Sequence, residues 1–184
     1  MSVVNNFFGH LRTITKHRHM VIKHCKKAGI LWQGLRHDLS KYSPTEFIPG
    51  VKYYTGTKSP NEGERIDKGY SVAWLHHKGR NRHHADYWVD MDAPVKYPLI
   101  PYQYVAEMIC DKLAAGIIYQ GKDWTKEYEL QYWKRERVNY PLNENVKKVI
   151  TEVLEQVSKN GIDSTLTKKN IKSLYKKYCI DQIN

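Results

Sequence analysis

The chain has 184 residues and carries 30 Lys and Arg against 19 Asp and Glu, which gives a formal net charge of +11. This length is typical of one domain with a substantial core, and no stretch approaches the roughly 20 apolar residues of a membrane helix. The excess of positive charge favours an anionic partner, such as a phosphorylated small molecule or a nucleic acid.

The cysteines and the N-terminal segment indicate a cytoplasmic protein. Cys25, Cys110 and Cys179 are far apart and form no CxxC pair. This spacing predicts buried free thiols and argues against a disulfide framework or a zinc knuckle. The first residues lack the basic-then-apolar pattern of a secretory signal. We therefore expect a reducing cytoplasmic environment and no association with a membrane.

Helical periodicity extends through most of the chain and predicts an all-α fold. Apolar residues recur at intervals of three or four, and Gly or Pro stands at many of the boundaries. In chain order, the predicted helices cover residues 6–28, 31–39, a short helix beginning at 43–46, then 70–77, 102–119, 125–138, 146–157 and 167–179. Residues 50–69 hold four Gly and one Pro, which predicts a long loop that serves as a lid or binding segment.

The first predicted helix carries histidines on two different faces. His17 shares an otherwise apolar face with His10 and His24, whereas His19 falls among arginine and lysine residues. The spacing predicts that His17 points inward and makes it a candidate metal ligand. For any one of these residues alone, the alternative is a core histidine bonded to the backbone.

Three further polar pairs lie in the first 84 residues. The stretch LRHDLSKYSPTEF places His37 beside Asp38, and HHKGRNRHH contains the histidine pairs 76–77 and 83–84. Imidazole is the commonest transition-metal ligand among side chains, and mixed His/Asp sites suit Zn, Fe, Mn or Co. The pattern favours a metal site, and a surface that contacts nucleic acid is the alternative.

Asp111 interrupts an apolar face of the helix predicted over residues 102–119. The other members of this face are Tyr104, Met108, Ala115 and Ile118. A buried carboxylate is costly unless it is paired or bound to a metal. Asp111 is therefore a candidate ligand, with a salt bridge to Arg or Lys as the alternative.

In chain order, these candidates form the pattern H…HD…D, with extra histidines before the last Asp. This pattern resembles the HD superfamily of metal-dependent phosphohydrolases. The segments HDLSKYSPTEF, AWLHHKGRNRHHADYW and YVAEMICDKLAAG also resemble, over roughly residues 8–135, an uncharacterised family of bacterial and phage proteins. The resemblance implies an HD-domain-like helical bundle over residues 1–140. Residues 141–184 would form a basic helical extension packed on the same domain.

The superfamily pattern also implies the metal ligands. It implies one or two divalent transition-metal ions, with a first ion held by His17, His37, Asp38 and Asp111. His77 and His84 would complete a second site or bind its water. The gap from His17 to His37 is shorter than usual, and HHKGRNRHH is more compact than in the familiar two-metal members. These departures leave open which of the four histidines are ligands and whether one ion binds or two.

One candidate catalytic residue follows from the same resemblance, because Lys41 matches a lysine commonly found three residues after the HD aspartate. Positive side chains near the proposed site are expected to stabilise charge on phosphoryl oxygens, and the candidates are Lys41, Arg80, Arg82 and Lys112. Glu46 is expected to position or deprotonate a water molecule, or to act only as a helix cap. Ser40, His76 and His83 are expected to orient ligand imidazoles.

The leading functional prediction is a metal-dependent hydrolase that acts on a phosphorylated substrate, such as a nucleotide, through metal-activated water. One alternative is an HD-type di-iron oxygenase. Another is a basic helical module that binds nucleic acid without catalysis, whose affinity would fall steeply with salt. Fold alone does not decide among them.

Overall fold

A computed structural model describes residues 2–181 and confirms the prediction of an all-α helical bundle. No strand occurs within these residues. The helices are α1 (Val3–Lys27), α2 (Leu31–Arg36), α3 (Pro44–Lys52), α4 (Pro60–Lys68), α5 (Val72–Lys78), α6 (Tyr102–Gln120), α7 (Tyr128–Glu136), α8 (Glu144–Asn160), α9 (Ile162–Thr165) and α10 (Lys168–Cys179). None of the helices in this part of the chain has both the length and the hydropathy of a membrane span.

The long helices α1, α6, α8 and α10 begin and end within one turn of their predicted positions. Their apolar stripes dominate the local sequence, so periodicity alone locates them. The free-thiol prediction is also confirmed, because Cys25, Cys110 and Cys179 are all buried and unbridged.

Two predictions about local structure were wrong. Residues 50–69 are not one long loop, because α3 continues to Lys52 and α4 occupies Pro60–Lys68. Pro60 suits the first turn of a helix, and Gly69 ends α4 at φ 80°. Glycine and proline therefore marked helix boundaries here, and not an extended loop.

The second wrong prediction concerns the HD pair, which was expected inside a helix over residues 31–39. Helix α2 ends at Arg36, His37 has ψ 129°, and Asp38 is left-handed with φ 53°. A 3-10 turn then covers Leu39–Tyr42. His37 and Asp38 therefore lie in a tight turn between two helical segments.

Helix α1 packs against α2, α3 and α6. Its buried face includes His10, His17 and His24, whereas His19 is exposed, as the periodicity predicted. Gly34 brings α2 close to α1, because a Cβ at this position would lie only 2.7 Å from Cβ of Cys25. This close packing places the turn after α2 beside the middle of α1.

The prediction that the Asp111 face of α6 is a buried apolar face was wrong in part. The fully buried face of α6 packs on the main core and comprises Val105, Ala106, Ile109, Cys110 and Leu113. On the face that carries Asp111, Met108 is buried but the other members are only half-buried. Part of this face borders a cavity.

The C-terminal helices share the core of the preceding ones. The α8 stripe predicted from sequence is buried against α10 and α6. Across residue 140, Nε1 of Trp133 on α7 donates a hydrogen bond to Oγ1 of Thr151 on α8 at 2.9 Å. A single apolar cluster thus runs from α1 to α10.

Candidate metal centre

Side chains from five segments of the chain converge between α1, α5 and α6. The ligand candidates are His17 from α1, His37 and Asp38 from the turn after α2, His77 from α5, His83 and His84 from the turn after α5, and Asp111 from α6. They form two groups of four, and the ligand atoms within each group lie within 4.8 Å of one another. Asp38 belongs to both groups.

The first group contains His17, His37, Asp38 and Asp111. Oδ1 of Asp111 lies 3.0 Å from Nε2 of His17 and 3.4 Å from Nε2 of His37. Oδ2 of Asp38 lies 3.2 Å from Nε2 of His37 and 3.8 Å from that of His17. Atoms that share one transition-metal ion at about 2.1 Å lie about 3.0 to 3.4 Å apart. The spacing of this group therefore suits a single ion with little rearrangement.

The second group contains Asp38, His77, His83 and His84. Oδ1 of Asp38 lies 3.3 Å from Nε2 of His77 and 3.5 Å from Nε2 of His83. The two carboxylate oxygens of Asp38 thus face different histidines. This is the arrangement expected of a carboxylate that bridges two cation positions.

Within residues 2–181, five buried atoms in these groups lack a partner in hydrogen-bonding geometry, although carboxylate oxygens lie near the imidazoles. They are Nε2 of His17, His37, His83 and His84, and Oδ1 of Asp38. An unpartnered buried polar atom costs about 1–3 kcal/mol. Five such atoms facing one another are difficult to explain as core structure, whereas a cation would satisfy them together.

Glu107 fixes the orientation of two of these histidines. Its Oε1 lies 2.9 Å from Nδ1 of His37 and 3.2 Å from Nδ1 of His83, and Gln33 donates to its Oε2 at 3.2 Å. A histidine that donates from Nδ1 to a carboxylate keeps the lone pair on Nε2 free for a metal. His37 and His83 both direct that nitrogen into the site.

Glu46 plays the equivalent part for α5. Its two oxygens accept hydrogen bonds from Nδ1 of His76 and Nδ1 of His77, each at 2.7 Å. Ser40 Oγ also lies 3.3 Å from Nδ1 of His77. Glu46 therefore orients a candidate ligand histidine. Its roles in positioning or deprotonating water, or in helix capping, stay predictions.

The electrostatics of the site keep the carboxylates ionised. Burial opposes ionisation of Asp38, but the neighbouring His37 and Lys41 outweigh it and hold the pKa of this carboxyl well below its usual range. Burial likewise opposes ionisation of Asp111, and the adjacent imidazoles of His17 and His37 lower its pKa. Burial lowers the pKa of His84 well below its usual value. Burial opposes protonation of His37, but the charge of Asp38 outweighs it and raises the pKa of this imidazole well above its usual value. Asp38, Asp111 and His84 are therefore in the protonation states that bind metals, whereas an arriving cation would displace a proton from His37.

Two cavities flank the ligand groups. The smaller, of about 150 Å³, is lined by Lys41, Glu46, His77 and His84 among others. The larger, of about 550 Å³, is lined by His83, His84 and Asp111 and extends along α6 and α7. The cluster is therefore reachable by a ligand of moderate size.

The structure brings together all six residues predicted as metal ligands: His17, His37, Asp38, His77, His84 and Asp111. Lys41 lies beside them, with Nζ 2.6 Å from Oδ2 of Asp38. Arg80 does not join them. It is exposed, and among residues 2–181 its side chain makes no hydrogen bond or ion pair. Its contact with phosphoryl oxygens stays a prediction.

Sequence reasoning gave His83 an orienting role while leaving open which of the four histidines are ligands, because its adjacency to His84 does not show which of the two points inward. The structure places His83 among the candidate ligands, and sequence reasoning missed Glu107 entirely. Glu107 lies one helical turn before Asp111, on the same side of α6. That spacing was the available signal, but a lone glutamate in an apolar helix does not reveal its histidine partners.

The comparisons with known proteins identify a family and no function. Residues 6–156 match a family described as "Family of unknown function (DUF5662)", so the chain belongs to that family. The matched region includes every ligand candidate and extends through most of α8. Neither the comparison with curated proteins nor that with solved structures gives a match.

Proposed function

We propose that this chain is a metal-dependent hydrolase that acts on a phosphorylated substrate, such as a nucleotide. One or two divalent transition-metal ions, Fe, Mn, Zn or Co, would occupy the His/Asp groups. The observation that carries the proposal is the convergence of five unpartnered buried ligand atoms around Asp38, next to an open cavity. The H…HD…D pattern, which resembles the HD superfamily, supports the same chemistry.

A bound divalent ion lowers the pKa of a coordinated water molecule toward neutrality and polarises a phosphoryl oxygen. The residues of this chain supply the surroundings that such chemistry needs. Glu107 and Glu46 hold three ligand histidines in one tautomer. Asp38 presents one oxygen to each ligand group, which keeps the two cation positions close together.

Lysines near the ligand groups complement an anionic substrate. Lys41 lines the smaller cavity, and Lys58 and Lys112 line the larger one. Burial opposes protonation of Lys41, but the charge of Asp38 outweighs it and raises the pKa of the ammonium group, so it stays charged. A phosphate that reaches the metal positions would therefore lie close to fixed positive charge.

The test is hydrolysis by protein that has been stripped of metal and reloaded with Fe(II), Mn, Zn or Co separately. Release of p-nitrophenol from p-nitrophenyl phosphate and from bis(p-nitrophenyl) phosphate would be followed, together with phosphate release from nucleotides. We expect turnover with at least one metal, its loss in His77→Ala, and its retention in His19→Ala, which changes an exposed histidine of α1. Bound metal without turnover of any ester, or metal-dependent oxygen uptake in its place, would overturn the proposal.

A further inference from the structure

The larger cavity continues beyond the ligand groups to a buried carboxyl group that has no partner. Glu129, at the start of α7, lines this cavity and is only 4% exposed. Its Oε1 has no hydrogen bond within residues 2–181. A buried carboxyl oxygen without a hydrogen bond lowers the stability of the folded protein, so the presence of Glu129 at this position needs an explanation.

The cationic side chains on the cavity wall are already paired with other carboxylates. Lys112 Nζ lies 2.8 Å from Oε2 of Glu136, and Lys58 Nζ lies 2.9 Å from Oε1 of Glu62. Neither lysine forms an ion pair with Glu129. Among the carboxyl groups on this wall, only that of Glu129 has neither a salt bridge nor a hydrogen bond within the described residues.

Helix α6 makes room for this carboxyl group. Gly116 lies inside α6, and a Cβ at this position would overlap Oε1 of Glu129. Nε1 of Trp124, a buried donor without a partner among the described residues, lies 3.3 Å from the same Cβ position. Glycine in a helix interior costs about 1 kcal/mol relative to alanine. The backbone therefore gives up helix stability at the point where it accommodates Glu129.

Aromatic side chains form much of the remaining wall. They are Trp74, Tyr119, Tyr128, Tyr132 and Tyr140. Aromatic faces bind both flat heterocycles and organic cations, and a volume of about 550 Å³ lies within the usual range for small-molecule sites. An aromatic wall around a free carboxyl group suits a ligand whose end donates N–H hydrogen bonds.

We propose that Glu129 receives N–H donors at the end of the substrate remote from its phosphate, so that the cavity selects phosphoesters carrying an ammonium group or the N–H edge of a heterocycle. This inference rests on the proposed function, since it assumes that the phosphate lies at the ligand groups near Asp111. Glu129 is then a specificity-determining residue, and Gly116 and the aromatic wall position it.

The test compares two pairs of phosphoesters that differ in N–H donors. Phosphoethanolamine is paired with ethyl phosphate, and guanosine 5′-monophosphate with purine riboside 5′-monophosphate. Their binding to metal-loaded protein would be measured by titration calorimetry, so the readout does not depend on turnover. We expect the donor-bearing member of one pair to bind at least about tenfold more tightly, and the pair that shows this identifies the donor as ammonium or heterocycle.

In Glu129→Leu, which has no hydrogen-bond acceptor, the preference should fall to within about twofold, while binding of the donor-free member and metal content stay unchanged. Glu62→Leu, which changes a wall carboxylate already paired with Lys58, should keep the preference. Equal binding within both pairs in the wild type, or a preference that survives Glu129→Leu, would overturn the inference. A preference that depends on Glu129 without turnover of any ester would sustain it and overturn the hydrolase proposal alone.

Discussion

Asp38 shows how one residue can serve two ligand groups. Its left-handed backbone, at φ 53°, makes it the one non-glycine residue with positive φ in the described part of the chain. This conformation costs of order 1 kcal/mol or more and persists only where the surroundings enforce it. Here it follows the extended His37, and together they bring adjacent side chains to the same site, which a helix would turn about 100° apart. The strain is concentrated at the residue on which both groups depend.

Glu107 is predicted to control metal affinity without touching the ion. Glu107→Gln keeps the size of the side chain but removes the carboxylate that accepts from Nδ1 of His37 and His83. We expect metal affinity to fall by about 10- to 100-fold. Competition with a chromophoric chelator measures the change directly.

Glu64 offers a matched control for that substitution. It is also fully buried, but it bonds Ser71 and the backbone of Ala73, away from the ligand groups. Glu64→Gln should lower stability by about 1–3 kcal/mol and leave metal affinity unchanged. Equal losses of affinity in the two variants would show that Glu107 acts only through general stability.

The burial of Glu129 predicts that the free energy of unfolding falls as pH rises toward 7. Burial, assisted by the charges of Asp111 and Glu136 and opposed by Lys112, raises its pKa from 4.5 to about 7. Between these values the folded protein holds a proton that the unfolded chain has lost. The stabilising contribution of this group is therefore complete below about pH 4.5 and is lost as pH rises through 7, a change of about 3 kcal/mol.

The glutamine side chain in Glu129→Gln cannot ionise. The free energy of unfolding of this variant, relative to that of the wild type, should therefore increase from pH 5 to pH 8. Urea unfolding of both proteins in the presence of a chelator would measure the difference without interference from metal. Parallel pH profiles would contradict the burial of an unpartnered carboxyl group at this position.

The packing of helix α2 on helix α1 sets the position of the turn that contains His37 and Asp38. A Cβ at Gly34 would lie 2.7 Å from Cβ of Cys25 and 3.1 Å from Cα of Ile22, so main-chain atoms of α1 would have to move. Gly34→Ala should therefore destabilise the protein by about 1–3 kcal/mol and weaken metal binding, even though alanine is the better helix former. Chemical unfolding and chelator competition would check both effects.

Gly79 provides the comparison, because a Cβ there would meet Leu75 O at 3.4 Å and His76 O at 3.9 Å, both ordinary contacts, and its φ is −73°. Gly79→Ala should change stability by less than about 0.5 kcal/mol. A neutral Gly34→Ala, or a Gly79→Ala that is equally harmful, would contradict the close approach of α2 to α1.

Periodicity and composition located the long helices because burial of an apolar stripe decides their faces. The same reasoning correctly separated the inward His17 from the exposed His19. It failed at the HD pair, since a left-handed Asp38 is favoured by the surrounding fold and not by local propensity. It also could not find the contact of Glu107 with His37, which joins residues 70 positions apart. Six of the seven candidate ligands were therefore predictable from residue types and the H…HD…D resemblance, but the choice of His83 and the orienting role of Glu107 were not.

For the whole molecule, the ligand groups join segments that span residues 17 to 111, so a bound ion would tie α1, α5 and α6 together. An ion that binds only the folded state, at a free concentration 100 times its dissociation constant, stabilises by about 2.7 kcal/mol. For a chain of this size, that corresponds to a rise in Tm of roughly 5–10 °C. Thermal scans of stripped protein with and without Mn, Zn, Co or Fe(II) should show this rise in the wild type and in His19→Ala.

The same scans on Asp38→Ala should show no rise, because both ligand groups lose their shared carboxylate. An equal shift in Asp38→Ala and in the wild type would place the stabilising ion elsewhere on the protein.

If two adjacent cation positions share Asp38, as proposed, the metal content of the protein depends on this residue more than on any other ligand candidate. Metal content would be measured by inductively coupled plasma mass spectrometry after reconstitution with each metal in turn. The wild type and His19→Ala should carry up to about two ions per chain, His17→Ala and His77→Ala should each lose about one, and Asp38→Ala should retain almost none. A wild type that binds none of the four metals, or an Asp38→Ala that binds as much as the wild type, would contradict a metal centre shared through Asp38.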